Sequence, residues 1–297
     1  MKILDALDEV CHHAEYIKNY SENTTDRYRS VVKNFKKNSG LEQVEEITEK
    51  TVKKFFLNGR RERDWSPETF ITYKDTLTVF LRWCVDEGYL DENYAENIET
   101  PKTEKQLPKS LSREEAETIL DYVYNFTYVH NVNFLKHRNK AIMATFIFAG
   151  LRRSELLGLR NGDVDLKNKS IFVNQGKGGK DRYVPIVDRL ADILREYKAA
   201  RRKKGKSCPK FFASCFDDMG YTNSGLSRLI NRIREESDIY FTPHMLRHTF
   251  ATQMLEGGCD IYSLSKMLGH NKIKTTTIYL AASSKHLEGE IDKHPLN

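Results

Sequence analysis

The sequence predicts a mainly helical protein of two domains, with one small β-sheet in the second domain. Through most of residues 1–97, apolar residues recur at steps of three and four, which is the period of an amphipathic helix. A polar stretch with prolines, residues 98–110, then reads as a linker. In residues 169–186, β-branched and aromatic residues flank a glycine-rich turn, which is typical of a β-hairpin. We therefore expect a helical domain followed by a mixed α/β domain over residues 111–297.

The composition restricts the class of protein. Of the 297 residues, 30% are charged, and the formal net charge is +6, which is compatible with a nucleic-acid partner. No apolar run approaches the ~18 residues of a membrane span, and the N-terminus lacks the long apolar segment of a signal peptide. The five scattered cysteines show neither metal-ligand spacing nor a disulfide framework. These features predict a protein of the reducing cytoplasm.

The first domain carries local signals for several helices. Periodic apolar residues predict helices over residues 3–17 and 28–35, and a further short helix is expected over residues 48–57. Ser66 and Pro67 form a cap and a first-turn proline, and they predict a long helix that ends near Gly88. Many lysines and arginines in this domain stand beside aromatic residues. They are consistent either with a plain helical bundle with solvated charges or with a helical clamp that contacts DNA.

In the second domain, Ser112 and Glu115 form a capping box that opens a helix. We expect residues 124–138 to be irregular and an apolar helix to cover residues 141–148. A short helix should then begin near Ser154. Further helices are predicted over residues 189–203, 223–236, 243–256, 261–268, 275–280 and 284–291.

Residues 244–279 concentrate side chains that suit chemistry on a phosphate ester. They are His244, Arg247, His248, His270 and Tyr279. The planar guanidinium of arginine fits phosphate oxygens, and histidine transfers protons near pH 7. A tyrosine becomes a useful nucleophile when cations lie close to its hydroxyl. The group predicts phosphoryl transfer to Tyr279. Each residue also has an ordinary interpretation: a packed tyrosine, a surface arginine, or a pair of histidines one helical turn apart that bind a metal.

Two more segments contribute candidate residues. Arg152 and Glu155 follow the turn at Gly150 and suit either the same site or a buried ion pair. Lys177 lies at the tip of the predicted hairpin, where glycines let a backbone approach a polyanion. Basic residues there and after the next helix are candidates for DNA contact, although such groups are often simply solvated. These DNA-contact candidates are Lys180, Arg182, Arg201 and Arg202.

Five segments, in order, resemble the tyrosine recombinases, also called the phage integrase family. They are GLRRSEL at 150–156, GKGGKDRYVPI at 176–186, HMLRHTFAT at 244–252, LGH at 268–270 and TTTIY at 275–279. The chain is similar to a compact, Xer-like member, with a helical core-binding domain and a catalytic domain that together clamp DNA. Arg153 stands where the family usually has an apolar residue, so Arg152 is matched by its place after Gly-Leu.

The resemblance implies a role for each matched residue. Arg152 and Arg247 would bind the phosphate, and Lys177 would be the hairpin lysine. His244 and His270 would be the two histidines, Tyr279 the nucleophile, and Glu155 a supporting acid. The implied activity is site-specific recombination through a 3′-phosphotyrosyl intermediate, with no metal or other cofactor. The implied partner is double-stranded DNA that carries a recombination site, bound by a homotetramer on two sites.

Two other functions remain open on the sequence alone. One is strand relaxation by an enzyme like the type IB topoisomerases, which share the tyrosine nucleophile. The other is a DNA-binding regulator that has lost catalysis. The biological role also stays open between integration or excision of a mobile element and Xer-type resolution of chromosome dimers.

Overall fold

The computed structural model describes residues 1–103, 108–126, 132–174, 181–270 and 272–282. The chain divides into two units, Met1–Lys105 and Gln106–Asn297, and the division falls inside the predicted linker. The described residues are mainly helical and include one three-stranded antiparallel sheet, so the predicted fold class is confirmed. None of the helices in these ranges is long and apolar enough to cross a membrane.

The described residues of the first unit, 1–103, form four α-helices. They are α1 (Ile3–His12), α2 (Glu22–Ser39), α3 (Glu49–Arg61) and α4 (Pro67–Asp86). A π-helical turn, His13–Ile17, extends α1. Helix α4 begins as predicted, because the Ser66 hydroxyl accepts a hydrogen bond from the Thr69 backbone N–H at 3.2 Å and Pro67 occupies the first turn. The apolar faces of these helices enclose their own core, which includes the fully buried Phe35 and Phe80.

The second unit contains the longer series of helices. They are α5 (Arg113–Asn125), α6 (Val132–Ala149), α7 (Arg153–Gly158), α8 (Asp188–Lys203), α9 (Asn223–Ser237), α10 (Pro243–Glu256) and α11 (Ile261–Leu268). Helix α6 contacts α5, α8 and α10 and forms the centre of the core. The prediction that residues 124–138 are irregular was wrong for residues 132–138, whereas residues 127–131 lie outside the described residues. Phe134 and Arg138 are buried, and Arg138 donates to the carbonyl oxygen of Ala213 at 3.2 Å, so packing extends the helix.

The sheet is formed by β1 (Val164–Asp165), β2 (Ser170–Val173) and β3 (Arg182–Pro185), in that order. The predicted hairpin strands β2 and β3 pair antiparallel, with Ile171 opposite Val184 and Val173 opposite Arg182. The buried side chains of Ile171, Val173 and Val184 face the core. Strand β1 was not predicted, because its two residues are too few to show a period.

After α11 the chain forms short 3-10 turns. Helix α11 ends at Gly269, whose φ of 66° is in the left-handed region. Two 3-10 turns follow, Ile273–Thr275 and Thr277–Ala282. The second turn carries Tyr279 into a small apolar cluster with side chains of α10 and α11. The helix predicted over residues 284–291 lies outside the described residues.

Candidate active site

A buried carboxylate, that of Glu155, lies at the centre of the site. Its side chain is only 3% exposed. It is placed there because α7 begins directly after Arg152, and Glu155 Oε2 accepts a hydrogen bond from the Arg152 backbone N–H at 2.8 Å. This is the usual way in which a glutamate in the first turn satisfies a free N–H at the helix start. The position of Glu155 is thus determined by local structure as well as by its partners.

Three guanidinium groups surround this carboxylate. Arg152 Nη1 donates to Oε1 at 2.7 Å, and Arg182 donates to both oxygens at 2.9 and 2.8 Å. Arg247 Nη1 lies 4.0 Å from Oε2. Although burial acts to raise it, the hydrogen bonds from Arg182 and Arg152 hold the pKa of Glu155 down to about 2. One negative charge thus faces three positive charges, and the cluster keeps an excess of positive charge that suits a phosphate.

Arg247 is the most deeply buried of the three arginines. Its side chain is 3% exposed, whereas that of Arg152 is 29% exposed. Helix α10 carries Arg247, whose Nη1 donates to the carbonyl oxygen of Gly150 at 2.7 Å and whose Nη2 donates to that of Leu268. Burial and the nearby Arg152 lower the pKa of Arg247 to about 10, so it remains a cation at neutral pH. These carbonyl contacts fix the guanidinium without neutralising it.

His270 completes the immediate surroundings of Arg247. Its Nε2 lies 3.2 Å from Arg247 Nη2, and its Nδ1 lies 2.8 Å from the hydroxyl of the buried Thr276. Arginine can only donate, so we assign Nε2 as the acceptor and Nδ1 as the protonated nitrogen. Burial and Arg247 lower the pKa of His270 to about 4, in agreement with a neutral ring. His270 is therefore held in one tautomer between the arginine and the segment before Tyr279.

Tyr279 lies within the same site and in the same chain. The residue is 1% exposed, and its hydroxyl is 2.8 Å from His248 Nδ1. Burial raises the pKa of Tyr279, and this outweighs the opposite effect of Arg247 and Arg152. Burial and His244 lower the pKa of His248 to about 4. A neutral imidazole therefore accepts the hydrogen bond of a neutral phenol.

The histidine that contacts Tyr279 is His248, to which the family resemblance gave no role. His244 instead packs edge-on against His248, with ring centroids 4.2 Å apart. Burial and Arg247 lower its pKa. The spacing of four residues did indicate that both rings share one face of a helix, but we interpreted it only as a possible metal pair. Within the described ranges, no group of three or more His, Cys, Asp or Glu side chains is placed to hold a metal ion.

Comparisons with known proteins decide the family. The model of the phage integrase family matches residues 109–286, and that of the phage integrase N-terminal SAM-like domain matches residues 3–91. The chain belongs to the phage integrase family, the tyrosine recombinases. It is therefore an enzyme that cleaves and rejoins DNA strands.

Similar recombinases cover almost the whole chain. Tyrosine recombinase XerC of Oceanobacillus iheyensis is 31% identical over 97% of this chain and 95% of its own length. Tyrosine recombinase XerA of Thermococcus onnurineus is 32% identical over 98% of this chain and 96% of its own length. The two alternatives left open by the sequence, a topoisomerase and a silent regulator, gain no support from these relatives.

Solved structures of recombinases share the fold. XerH bound to a palindromic difH substrate, after cleavage, has a TM-score of 0.73 at 22% identity, over 97% of this chain and 83% of that chain. The Tn1549 transposon integrase in complex with transposon right end DNA has a TM-score of 0.74 at 17% identity, over 99% of both chains. At these identities the likeness concerns the fold alone.

The remaining predicted residues of this recombinase are those that were expected to contact DNA, together with Lys177. Lys177 and Lys180 lie outside the described residues. Arg182 was predicted to contact DNA, but its side chain is 8% exposed and is bound to Glu155, so that prediction is corrected. Arg201 directs Nη2 to the carbonyl oxygens of Cys208 and Lys210, which stabilises the loop after α8. Arg202 is exposed on that helix, and its contact with DNA remains a prediction.

The turn at Gly150 offers a test of how Arg247 is held. Gly150 has a φ of 59°, and a Cβ there would lie 2.3 Å from Cδ1 of Phe250, which is on the same helix as Arg247. We expect Gly150→Ala to lower the free energy of unfolding by about 2–4 kcal/mol and to impair cleavage. Gly258→Ala is the matched control, because Gly258 has a φ of 85° and open space around it. Urea denaturation measures both, and equal losses would contradict the packing argument.

Proposed function

We propose that this recombinase cleaves a specific DNA site through attack of Tyr279 on a backbone phosphate, within a single chain. The observation that supports this most directly is the position of Tyr279. Its hydroxyl is hydrogen-bonded to His248, the residue next to Arg247 on α10, and Arg247 in turn contacts His270, all in the same chain. A nucleophile, fixed cations and neutral proton acceptors thus occupy one site, and no second subunit is needed to bring in the tyrosine.

Each group has a defined part in the proposed reaction. Arg152 and Arg247 bind the non-bridging oxygens and stabilise the charge that develops on them during in-line attack. The phenol proton passes to the neutral histidine pair, in which His248 already accepts its hydrogen bond. Lys177 protonates the departing 5′-oxygen. The product is a 3′-phosphotyrosyl bond, which a second 5′-hydroxyl attacks to rejoin the strand without a nucleotide cofactor.

The burial of Tyr279 adds one requirement to this reaction. Its side chain is enclosed among apolar residues and the residue is 1% exposed, so a DNA phosphate has no access to the hydroxyl. We infer that the 3-10 turn Thr277–Ala282 shifts when DNA binds. Until that shift, burial keeps the phenol protonated, because it raises the pKa of Tyr279.

The number of DNA strands that must be cleaved supports a tetramer. Exchange between two duplexes requires cleavage of four strands, and each chain supplies one Tyr279. We therefore propose a homotetramer on two DNA sites, acting in the cytoplasm. The DNA site that it recognises determines whether it integrates and excises a mobile element or resolves chromosome dimers.

A trapping experiment tests the proposed function. The full chain is incubated with a pool of nicked duplexes of random sequence. After cleavage, the short fragment between the cut and the nick, which carries the new 5′-hydroxyl, dissociates, and its loss prevents rejoining. We expect a covalent adduct on denaturing gels, attached to the tryptic peptide of residues 275–285, which contains Tyr279. An adduct on another peptide would refute Tyr279 as the nucleophile. On a plasmid with two selected sites, relaxation without exchange would instead favour the topoisomerase alternative.

The role of Lys177 has a separate test. We expect Lys177→Ala to slow cleavage by about 10²–10³-fold, because the 5′-oxygen then leaves without its proton donor. A substrate with sulfur at the 5′-bridging position should restore the rate to within about tenfold of wild type, since a thiolate leaves unprotonated. Adduct formation in single-turnover reactions measures both substrates. A variant that binds DNA normally yet stays slow on the sulfur substrate would remove Lys177 from this role.

A further inference from the structure

Arg182 connects three elements of the second unit. It is the first residue of β3 and pairs with Val173 of β2. Its Nε donates to the carbonyl oxygen of Met267 in α11 at 2.7 Å. Its Nη1 and Nη2 donate to Glu155 in α7 at 2.9 and 2.8 Å. All three nitrogens of a side chain that is 8% exposed are therefore engaged inside the protein.

The space for this guanidinium depends on a glycine. Gly269 ends α11 with a φ of 66°, and a Cβ at that position would lie 2.9 Å from Arg182 Nη1. The carbonyl oxygen of Gly269 also accepts a hydrogen bond from Arg152 Nη2 at 3.3 Å. The end of α11 thus accommodates Arg182 and orients Arg152 together, directly before His270.

The charges explain why a third arginine is useful here. Glu155 needs counter-charges, because an unpaired buried carboxylate is costly. Arg182 binds both carboxylate oxygens, whereas Arg152 binds one through Nη1 and Arg247 stays 4.0 Å away. Without Arg182, the carboxylate would draw Arg152 or Arg247 into a bidentate ion pair with two parallel N–H···O bonds. Such bidentate pairs are stronger than a single charge-assisted hydrogen bond. The nitrogens of that arginine would then be occupied when the phosphate arrives.

We propose that Arg182 is a positioning residue that binds Glu155 so that Arg152 and Arg247 stay available for the DNA phosphate. This inference rests on the proposed function, in which those two arginines bind the phosphate. Arg182 itself touches neither DNA nor the reacting atoms. It acts through Glu155, so its removal should lower the rate of cleavage and leave the affinity for DNA nearly unchanged.

Three DNA substrates distinguish this role from others. We expect Arg182→Met to slow adduct formation on ordinary DNA by roughly 100-fold, as small displacements of catalytic groups do, with a Kd for DNA within about threefold of wild type. A methylphosphonate at the cleaved position removes one negative charge and should lessen the dependence on arginine. On it, we expect the variant to come within about tenfold of wild type. The 5′-bridging sulfur substrate should give no such recovery.

Each other outcome overturns the proposal. Recovery on the sulfur substrate would mean that Arg182 acts through Lys177, and recovery on neither would mean general structural support. A rise in Kd that equals the loss in rate would indicate a DNA contact. The matched control is Arg195→Met, which removes an exposed cation of α8. Arg182→Lys replaces Arg182→Met if the latter fails to fold. Absence of an adduct with the wild-type chain would instead refute the proposed function.

Discussion

Tyr279→Phe is expected to bind DNA as the wild type does and to form no covalent adduct. The substitution removes the attacking oxygen, and the ring still fills its place in the apolar cluster beside α10 and α11. Loss of the hydrogen bond to His248 should cost about 1 kcal/mol of stability, too little to unfold the chain. Because the nucleophile itself is lost, cleavage should fall by at least about 10⁴-fold. Denaturing gels measure the adduct, and fluorescence anisotropy measures binding.

Tyr262→Phe is the control for this experiment. Tyr262 lies on α11 of the same unit, but it is 59% exposed. We expect it to cleave at the wild-type rate. An adduct formed by Tyr279→Phe at wild-type yield would mean that another residue attacks the phosphate, and the proposed mechanism would then be wrong.

The fold was predictable where its signals are local. Ser66 with Pro67, and Ser112 with Glu115, determine helix starts through hydrogen bonds within four residues, and both helices begin where these residues indicate. The start of α6 was not predictable in this way. Arg138 is buried because it reaches Ala213, 75 residues away, and the same packing extends the helix to Val132. A contact between residues so far apart in the chain produces no periodic pattern of apolar residues from which the helix could be predicted.

In the active site, too, some residues could be identified from the sequence, whereas others depend on contacts between distant parts of the chain. Motif order identified Arg152, Arg247, His270 and Tyr279 as candidates, and the structure places them together. Arg182 has its partners in Glu155 and Met267, which are 27 and 85 residues away, so its charge alone suggested a DNA contact. A basic residue in a motif can bind either the substrate or a carboxylate of its own chain. Burial, which only the fold reveals, distinguishes the two.

Glu155→Ala is expected to destabilise the second unit by about 3–5 kcal/mol and to abolish detectable cleavage. It removes the carboxylate that pairs with Arg182 and Arg152 and faces Arg247, and so leaves buried cations uncompensated. The folded pKa of about 2 lies below the ordinary value of 4.5, so this stabilisation is complete above about pH 5 and is lost as pH falls toward 2. Urea denaturation at pH 7 measures the difference. Asp192→Ala, which breaks an exposed ion pair with Arg195, should cost less than about 1 kcal/mol.

A double variant tests whether the loss of stability in Glu155→Ala arises from unpaired positive charge. If it does, Glu155→Ala combined with Arg182→Met should be more stable than Glu155→Ala alone, because removal of a buried guanidinium removes one uncompensated cation. If the side chains contribute only packing, the two losses should add, and the double variant should be the least stable protein of the set. The sign of the second substitution's effect therefore separates the two explanations. Cleavage should remain low in the double variant, because Arg152 also loses the carboxylate that orients its Nη1.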